Sequence, residues 1–453
     1  MLFSTELLSG KIEKLEIRIS ELETENKSLC LENADLKDKL GLNSKTSSIP
    51  SSKEFYKQQK ATKAKSNRSR GGQTGHQGSS RKKMQADEVI NLELTDKVCN
   101  CGGKYELAGE AHIHQTVDIP EILPHVKEYH LNRYSCNSCG KKKKATLPKG
   151  VGADVFGPRI NTIVGALTSF YKNSKRDVQN ILQDVFNLNI SLGSISNVEA
   201  KISEKCKAAY EDLESQVCNS DIVHMDETSH YNSGKLGWCW MFTSSIASFI
   251  KLTESRGKKV LQNSVFGPED NIVISDRYAA YNYFAEGNRQ ICWAHLRRDF
   301  ARFAHSENKE VQRFGLYLGQ IAGELFTLKK ALLTKEIGIL VFMRRVRKLR
   351  KRTWNYLRAI SVLPDAKKAV GMAGSIMKSE DMMWRFLYDP YNIPLTNNHA
   401  ERQIRHYVVY RKNSYFTQSE RGNRFLERLI SLYLTCKQQN LNPFKELTKL
   451  ATA

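Results

Sequence analysis

The chain of 453 residues carries 70 Lys and Arg against 48 Asp and Glu, a formal charge of +22, and 40% of it is hydrophobic. At roughly 100 to 200 residues per domain, this length predicts two to four folded domains and excludes a wholly disordered chain. No apolar run approaches the roughly 18 residues of a membrane span, and the N-terminus lacks a secretion signal, so a cytoplasmic protein is expected. The positive charge favours a polyanionic partner, nucleic acid first, with a solubilising surface as the alternative.

The first region, residues 1–42, has a heptad pattern. Apolar residues recur at alternating steps of four and three from Leu8 to Leu40, with Asn26 and Asn33 at two seam positions. This spacing predicts a coiled coil over residues 6–42, in which polar seam residues fix the register. The alternative is a single amphipathic helix packed on the body. A coiled coil implies a homo-oligomer, either a dimer or a higher state.

Residues 43–88 are rich in Ser, Gly, Gln, Lys and Arg and poor in large apolar side chains. This composition predicts a flexible linker, because too little apolar surface is available to offset the entropy of ordering. Between Lys53 and Lys83 it holds ten basic residues against one acid, Glu54. The basic residues form either a solvated tether or an arm that grips DNA without sequence preference.

Residues 89–145 contain two close cysteine pairs, Cys99 with Cys101 and Cys136 with Cys139, each followed by Gly. Four thiolates in this arrangement suit a structural Zn²⁺ ion, although the one-residue gap of the first pair is uncommon and unrelated free thiols are the alternative. One of four histidines between the pairs is a possible substitute ligand: His112, His114, His125 and His130. The other six cysteines are scattered, as expected of free thiols in a reducing compartment.

Residues 146–215 read as helical. Helices are predicted over Arg159–Tyr171 and Val178–Phe186, and a third begins at Ser191 or Ser194. The second and third helices, joined by a short turn, have the length of a helix-turn-helix. These two helices either bind DNA in a sequence-specific way or only pack against the rest of the protein.

The sequence becomes strand-like from residue 221. Strands are expected at Ile222–Met225, Trp238–Thr243, Phe249–Thr253 and, after a helix, Ile272–Ile274. This order predicts a ribonuclease H-like α/β core, in which the first and fourth strands are parallel neighbours. Asp226 and Asp276 would then lie at neighbouring strand ends, as oxygen ligands suited to Mg²⁺ or Mn²⁺. The alternative is that both are turn formers.

Two later segments also point to this site. The helix that begins at Trp293 carries His295, Arg297 and Arg298, which are suited to phosphate contact. Thr396 or Asn397 can cap a helix that carries Glu401 on its second turn, with Arg402 and Arg405 on the same face. Glu401 is a candidate third carboxylate, or else a surface residue paired with Arg405.

Together these residues resemble the transposases of the insertion sequence 66 group. Five motifs occur in the family's order: His224–Thr228, WCWMFTSS, Ser275–Tyr278, Cys292–Arg298 and Asn397–Arg402. The resemblance extends over nearly the whole chain, including the coil, the GGQTGHQG element, the cysteine module and the LNPFKELTKL tail. It implies a DDE-type DNA transposase with Asp226, Asp276 and Glu401 as its acidic triad.

The resemblance also implies the mechanism. Asp226 would bridge two Mg²⁺ or Mn²⁺ ions roughly 3.5 to 4 Å apart, while Asp276 and Glu401 each hold one. Water would free a 3′-hydroxyl at the element's end, and that hydroxyl would attack target DNA. The DNA contacts would come from His295, Arg297, Arg298, Arg402 and Arg405. The expected partners are double-stranded DNA at the bacterial nucleoid and accessory proteins of the same element. The alternatives are a nuclease that only hydrolyses DNA and an inert DNA-binding regulator.

Asp276 and Glu401 are 125 residues apart, too far for one loop. A helical insertion over residues 305–385, including the basic stretch MRRVRKLRKRTW, is therefore expected to interrupt a catalytic core formed by residues 216–304 and 386–453. The basic stretch is either a solvated helix face or a DNA contact. The expected fold is multidomain α+β.

Overall fold

The computed structural model describes residues 14–29, 82–107, 112–149 and 154–452, with the isolated residues 32, 33, 36, 75, 77, 78, 109, 151 and 152. Both ends of the predicted coil and most of the predicted linker, including its basic residues from Lys53 to Arg70, lie outside this set. The chain divides into two units, residues 57–125 and the remainder.

The smaller unit contains the first cysteine pair. Val98 and Lys104 form an antiparallel bridge around a tight turn. Within the turn, the Cys99 N–H donates to the Gly103 carbonyl and the Gly102 N–H to the Cys99 carbonyl, both at 2.8 Å. Gly102 has φ +90°, a left-handed conformation that glycine adopts without steric cost. The turn presents the thiols of Cys99 and Cys101 on its surface.

In the larger unit, residues 14–29 are helical (α1), and the apolar seam side chains Leu15, Ile19, Leu22 and Leu29 are about half exposed or more. Further along, strands β1 (Arg133–Ser135) and β2 (Lys142–Lys144) form an antiparallel hairpin. The hairpin closes around Cys136, whose carbonyl accepts the Gly140 N–H at 2.9 Å. This turn resembles that of the first cysteine pair.

A helical layer follows the hairpin. Its helices are α2 (Pro158–Gly165), α3 (Lys175–Phe186), α4 (Leu192–Lys205) and α5 (Lys207–Cys218), with a π-helical turn at Ala166–Phe170 after α2. Ser174 and Asp177 form a capping box at the start of α3, and Ser191 caps α4. The three helices predicted within residues 146–215 correspond to α2 with its π-helical turn, to α3 and to α4.

A five-stranded sheet forms the centre of the larger unit. Its strands are β3 (Ile222–Asn232), β4 (Lys235–Thr243), β5 (Ser248–Thr253), β6 (Ile272–Ser275) and β7 (Arg289–Ile291), with the short helix α6 (Lys258–Gln262) before β6. The spatial order is β5-β4-β3-β6-β7; β3 to β5 are antiparallel, whereas β6 is parallel to β3 and β7 to β6. The predicted pairing of the first and fourth strands is therefore present.

Four helices follow β7. They are α7 (Trp293–Ala304), α8 (Lys309–Leu333), α9 (Ile339–Ser361) and α10 (Lys367–Met377). They share an apolar core that includes Phe300, Leu325 and Phe342. The basic residues of α9 lie outside this core, since its buried positions are the apolar ones and Thr353.

The chain then returns to the sheet through α11 (Glu380–Met383), α12 (Asn398–Ser414), α13 (Glu420–Gln438) and α14 (Pro443–Thr452). Helix α13 covers β5, the edge strand. Glu427, Ser431 and Thr435, four residues apart, accept the outward backbone N–H groups of β5 at 2.6 to 3.0 Å. Unpaired N–H groups on an edge strand can pair with a strand of another chain. The three side chains of α13 accept hydrogen bonds from these groups and so prevent such pairing.

The architecture is a multidomain mixture of helices and sheet. Among the described residues, no helix is long and apolar enough to cross a membrane.

Candidate functional site

The strand register brings Asp226 and Asp276 together. Residues 222, 223 and 224 of β3 pair with residues 272, 273 and 274 of β6, a constant offset of 50. Asp226 and Asp276 have the same offset, which extends this register. The prediction that both acids lie at strand ends is wrong for Asp226, because β3 continues past it to Asn232, whereas Asp276 directly follows β6. Neighbouring strands are about 4.8 Å apart, and residues in matching register point to the same face of the sheet.

The electrostatics of Asp226 indicate that the carboxylates are crowded. Burial raises the pKa of Asp226 well above its usual range, and the nearby charges of Glu227, Asp276 and Glu401 raise it further. The Glu227 backbone N–H donates to Asp226 Oδ1 at 3.0 Å, which opposes this effect only in part. A buried carboxylate whose pKa is raised by neighbouring carboxylates is a favourable place for a divalent cation.

Asn397 connects the helix of Glu401 to the sheet. Its buried amide donates to the Met225 carbonyl at 2.6 Å and accepts from His224 Nδ1 at 3.1 Å, so α12 begins directly against β3. Its backbone N–H also donates to Cys292 Sγ at 3.1 Å. One residue thus joins the Asp226 strand, the start of α7 and the helix of Glu401.

This arrangement differs from the sequence prediction in two details. Asn397 is the N-cap residue of α12, but its side chain makes no capping bond because both of its polar atoms bond to β3. Glu401 lies on the first turn of α12, one turn earlier than predicted. Neither difference is visible in local sequence, since both depend on where the start of α12 meets the sheet.

Glu401 faces the first turns of α7. Its Oε1 lies 3.7 Å from His295 Nδ1 and 3.8 Å from Arg298 Nη2, both beyond hydrogen-bonding distance. Glu401 Oε1 and His295 Nδ1 are buried atoms without a hydrogen-bond partner among the described residues. Burial, followed by the charge of Arg298, lowers the pKa of His295, which favours the neutral imidazole.

Among the residues that the structure describes, one set of three potential ligand atoms lies within 4.8 Å of one another: those of Cys292, His295 and Glu401. The carboxylates of Asp226 and Asp276 are not part of that set. The charge of Glu401 thus acts on the pKa of Asp226, while its Oε1 lies 3.7 Å from His295 Nδ1. Burial raises the pKa of Cys292, so its sulfur is a thiol rather than a thiolate.

Asp276 is held by its surroundings. The Tyr278 backbone N–H donates to Asp276 Oδ1 at 2.8 Å, and the buried guanidinium of Arg289 donates to the Asp276 carbonyl at 2.8 Å. Burial lowers the pKa of Arg289 to about 10, which still leaves it charged at neutral pH. Sequence reasoning missed Arg289, although a charged residue inside a short strand-like run was a usable signal.

Glu227 belongs to the opposite face of the sheet. It pairs with Trp240 of β4, whereas Asp226 pairs with Met241, and the two partners belong to different apolar cores. Its carboxylate accepts hydrogen bonds from Tyr281 and Arg256. Glu227 therefore points away from Asp226, as successive residues of a strand do.

The basic residues differ in position. Arg297, Arg402 and Arg405 are exposed, whereas Arg298 is partly buried against Glu401. Arg411, at the other end of α12, donates to the hydroxyls of Thr228 and Ser229 and therefore fastens α12 to β3.

The cysteine turns have surface thiols. Hydrogen bonds from the backbone of Cys101 and the Tyr105 hydroxyl lower the pKa of Cys99 to about 7, and backbone N–H groups of Cys139 and Ser138 lower the pKa of Cys136. A thiol that ionises readily is a good metal ligand.

Comparison with known proteins agrees with this geometry. Residues 175–424, more than half of the chain, match the model of the transposase IS66 family, and residues 96–140 match the zinc-finger binding domain of transposase IS66. A curated relative, "Uncharacterized protein y4qI" of Sinorhizobium fredii (strain NBRC 101917 / NGR234), is 25% identical over 268 residues. That match covers 52% of this chain and 48% of the relative, so the chain spans about half the length of the protein it matches. The chain belongs to the IS66 family of transposases.

Proposed function

We propose that this transposase is a DDE-type enzyme that cleaves DNA at the ends of an insertion element and joins the freed strand to target DNA, using divalent metal ions. The observation that carries the proposal is the convergence of Asp226, Asp276 and Glu401 from two parallel strands and one helix. The sheet order, three antiparallel strands followed by two parallel ones, supports a ribonuclease H-like core.

The donor set fits divalent ions of the Mg²⁺ or Mn²⁺ type. Carboxylate oxygens are the ligands these ions prefer. The raised pKa of Asp226 and the unpartnered Oε1 of Glu401 both indicate charge that a cation would neutralise. Bound there, the ions would stabilise the attacking and leaving oxygens of an in-line displacement at phosphorus.

The chain's own residues orient this chemistry. Asp226 is the central carboxylate, since the charges of Asp276 and Glu401 both act on it. Arg289 and the Tyr278 N–H hold Asp276, and Asn397 holds the helix of Glu401. Four arginines on α7 and α12 would contact the DNA backbone: Arg297, Arg298, Arg402 and Arg405.

Other parts of the chain would serve DNA binding and assembly. Cys99, Cys101, Cys136 and Cys139 all fall within the match to the zinc-finger model and would hold a structural Zn²⁺ ion. Helices α3 and α4 would form a helix-turn-helix-like DNA contact. The exposed seam of α1 would pair with a second copy of the chain.

The test uses purified protein, Mg²⁺ or Mn²⁺, a labelled DNA fragment with the element's end and a supercoiled target. Asp226→Asn and Glu401→Gln keep side-chain shape but remove charge, and Glu286→Gln, at an exposed acid, is the matched control. The proposal predicts cleavage and joining by wild type and Glu286→Gln and by neither site variant. Cleavage without joining would instead identify a nuclease, and binding without chemistry a regulator.

A further inference from the structure

His295 and Glu401 share a gap that neither fills. Glu401 Oε1 and His295 Nδ1 are 3.7 Å apart, both atoms are buried, and both are without a hydrogen-bond partner among the described residues. Buried polar atoms are normally hydrogen-bonded, so an unpaired polar atom on each of two facing side chains requires an explanation.

The separation fits one metal ion between the two atoms. A divalent ion binds an imidazole nitrogen or a carboxylate oxygen at roughly 2.0 to 2.2 Å, so two ligands at octahedral to tetrahedral angles are about 3.0 to 3.5 Å apart. The observed 3.7 Å is close to this range. Small side-chain rotations would close the difference.

Of the three potential ligand atoms in this cluster, Glu401 Oε1 and His295 Nδ1 are the two without a hydrogen bond. Cys292 Sγ lies within 4.8 Å of both but already accepts the Asn397 N–H at 3.1 Å. Arg298 Nη2 is 3.8 Å from Glu401 Oε1 and offsets part of its charge without bonding to it. His295 lies on the first turn of α7, whose position is fixed by the buried Trp293 and Leu296.

We propose that His295 is a ligand of the divalent ion on the Glu401 side of the site, in place of the DNA contact expected from sequence. This inference rests on the metal-dependent function proposed above. Imidazole nitrogen suits transition metals, whereas Mg²⁺ takes oxygen ligands, so the mixed pair selects Mn²⁺ over Mg²⁺.

The test is Mn²⁺ binding to the full-length, zinc-loaded chain, measured by electron paramagnetic resonance, with electron spin-echo modulation to detect ¹⁴N bonded to the ion. Wild type and His305→Gln, an exposed histidine at the end of the same helix, should show the nitrogen signal. His295→Gln should lose it and bind Mn²⁺ about tenfold more weakly. His295→Asp, which restores an oxygen ligand, should recover Mn²⁺ binding without the nitrogen signal and should prefer Mg²⁺ more than wild type does.

A wild-type protein that binds Mn²⁺ without a nitrogen signal would overturn the assignment of His295, as would a signal that survives in His295→Gln. The proposed function would stand in either case if Asp226→Asn and Glu401→Gln still abolish cleavage. Conversely, a nitrogen signal specific to His295 in a protein whose cleavage survives both of those substitutions would support the ligand and overturn the proposed function. Circular dichroism of each variant separates loss of a ligand from loss of folding.

Discussion

Asn397 offers a direct test of how the site is assembled. The side chain is 1% exposed and makes two hydrogen bonds to β3, one to the Met225 carbonyl and one from His224 Nδ1. Asn397→Ala leaves both of these buried groups unpaired. At about 1 to 3 kcal/mol for each unsatisfied group, the free energy of unfolding should fall by about 2 to 6 kcal/mol.

The assay is urea denaturation followed through the fluorescence of the buried Trp240 and Trp293, with strand cleavage measured where each variant is still folded. Asn398→Ala is the matched control, because its side chain is the next along the chain and is exposed. The control should lie within about 0.5 kcal/mol of wild type. Asn397→Asp keeps the shape but loses the amide donor, so it should be destabilised and should also cleave poorly.

The reasoning is refuted if Asn397→Ala and Asn398→Ala have equal stability and equal cleavage rates. Equal cleavage with unequal stability would limit Asn397 to a folding role. A slower reaction in folded Asn397→Ala protein, with DNA binding unchanged, would instead show that the bond to β3 positions Glu401.

Three further predictions follow from other parts of the chain. Because the pKa of Asp226 is raised in the folded state, the metal-free protein loses stability as pH rises through that pKa. Metal-free Asp226→Asn should therefore melt at a higher temperature than wild type at neutral pH, with the difference vanishing near pH 4, about the ordinary carboxyl range; an unchanged difference across that range, measured by calorimetry in EDTA, would contradict it. Ser431→Val leaves the Ile250 N–H without its 3.0 Å acceptor and should cost about 1 to 3 kcal/mol, read from urea denaturation; a cost equal to that of a surface Ser→Val substitution would show that β5 does not depend on α13. Finally, purified protein should contain about one Zn²⁺ per chain, measured by mass spectrometry of the metal, and Cys136→Ser should lose it; full zinc retention would exclude Cys136 as a ligand.

Local sequence predicted the elements that depend on local patterns. Short apolar runs followed by an acid marked the start of β3 and most of β6, but they did not show that β3 continues through Asp226 to Asn232. The offset of 50 between the paired residues is also the offset between Asp226 and Asp276. The start of α7 at Trp293 and the Ser before α4 were also predicted, because the signals for helix starts and caps act within a few residues.

The features that the sequence did not predict depend on contacts between residues far apart in the chain. Asn397 looked like an ordinary N-cap, yet its partners are 172 and 173 residues away in sequence. Arg289 is buried because its donors reach the Asp276 carbonyl and the Asn282 side chain, a fit that only the folded sheet provides. The prediction that His295 contacts DNA came from its basic neighbours, and only the fold shows that its Nδ1 lies 3.7 Å from Glu401 Oε1.

The helices between β7 and α12 explain how the chain returns to the site at Glu401, 125 residues after Asp276. The two ends of this segment meet in one apolar core: the Trp293 N–H donates to the Leu395 carbonyl, and the Trp293 indole to the Met383 carbonyl, both at 2.8 Å. Closing a long loop costs little more entropy than closing a short one, and a loop with its own core offsets that cost. Asn397 follows Leu395 by two residues, so packing at Trp293 fixes where α12 begins. A substitution that weakens packing in that core should therefore displace Glu401 from Asp226, although neither carboxylate is changed. The helical segment thus helps to position Glu401 in the site.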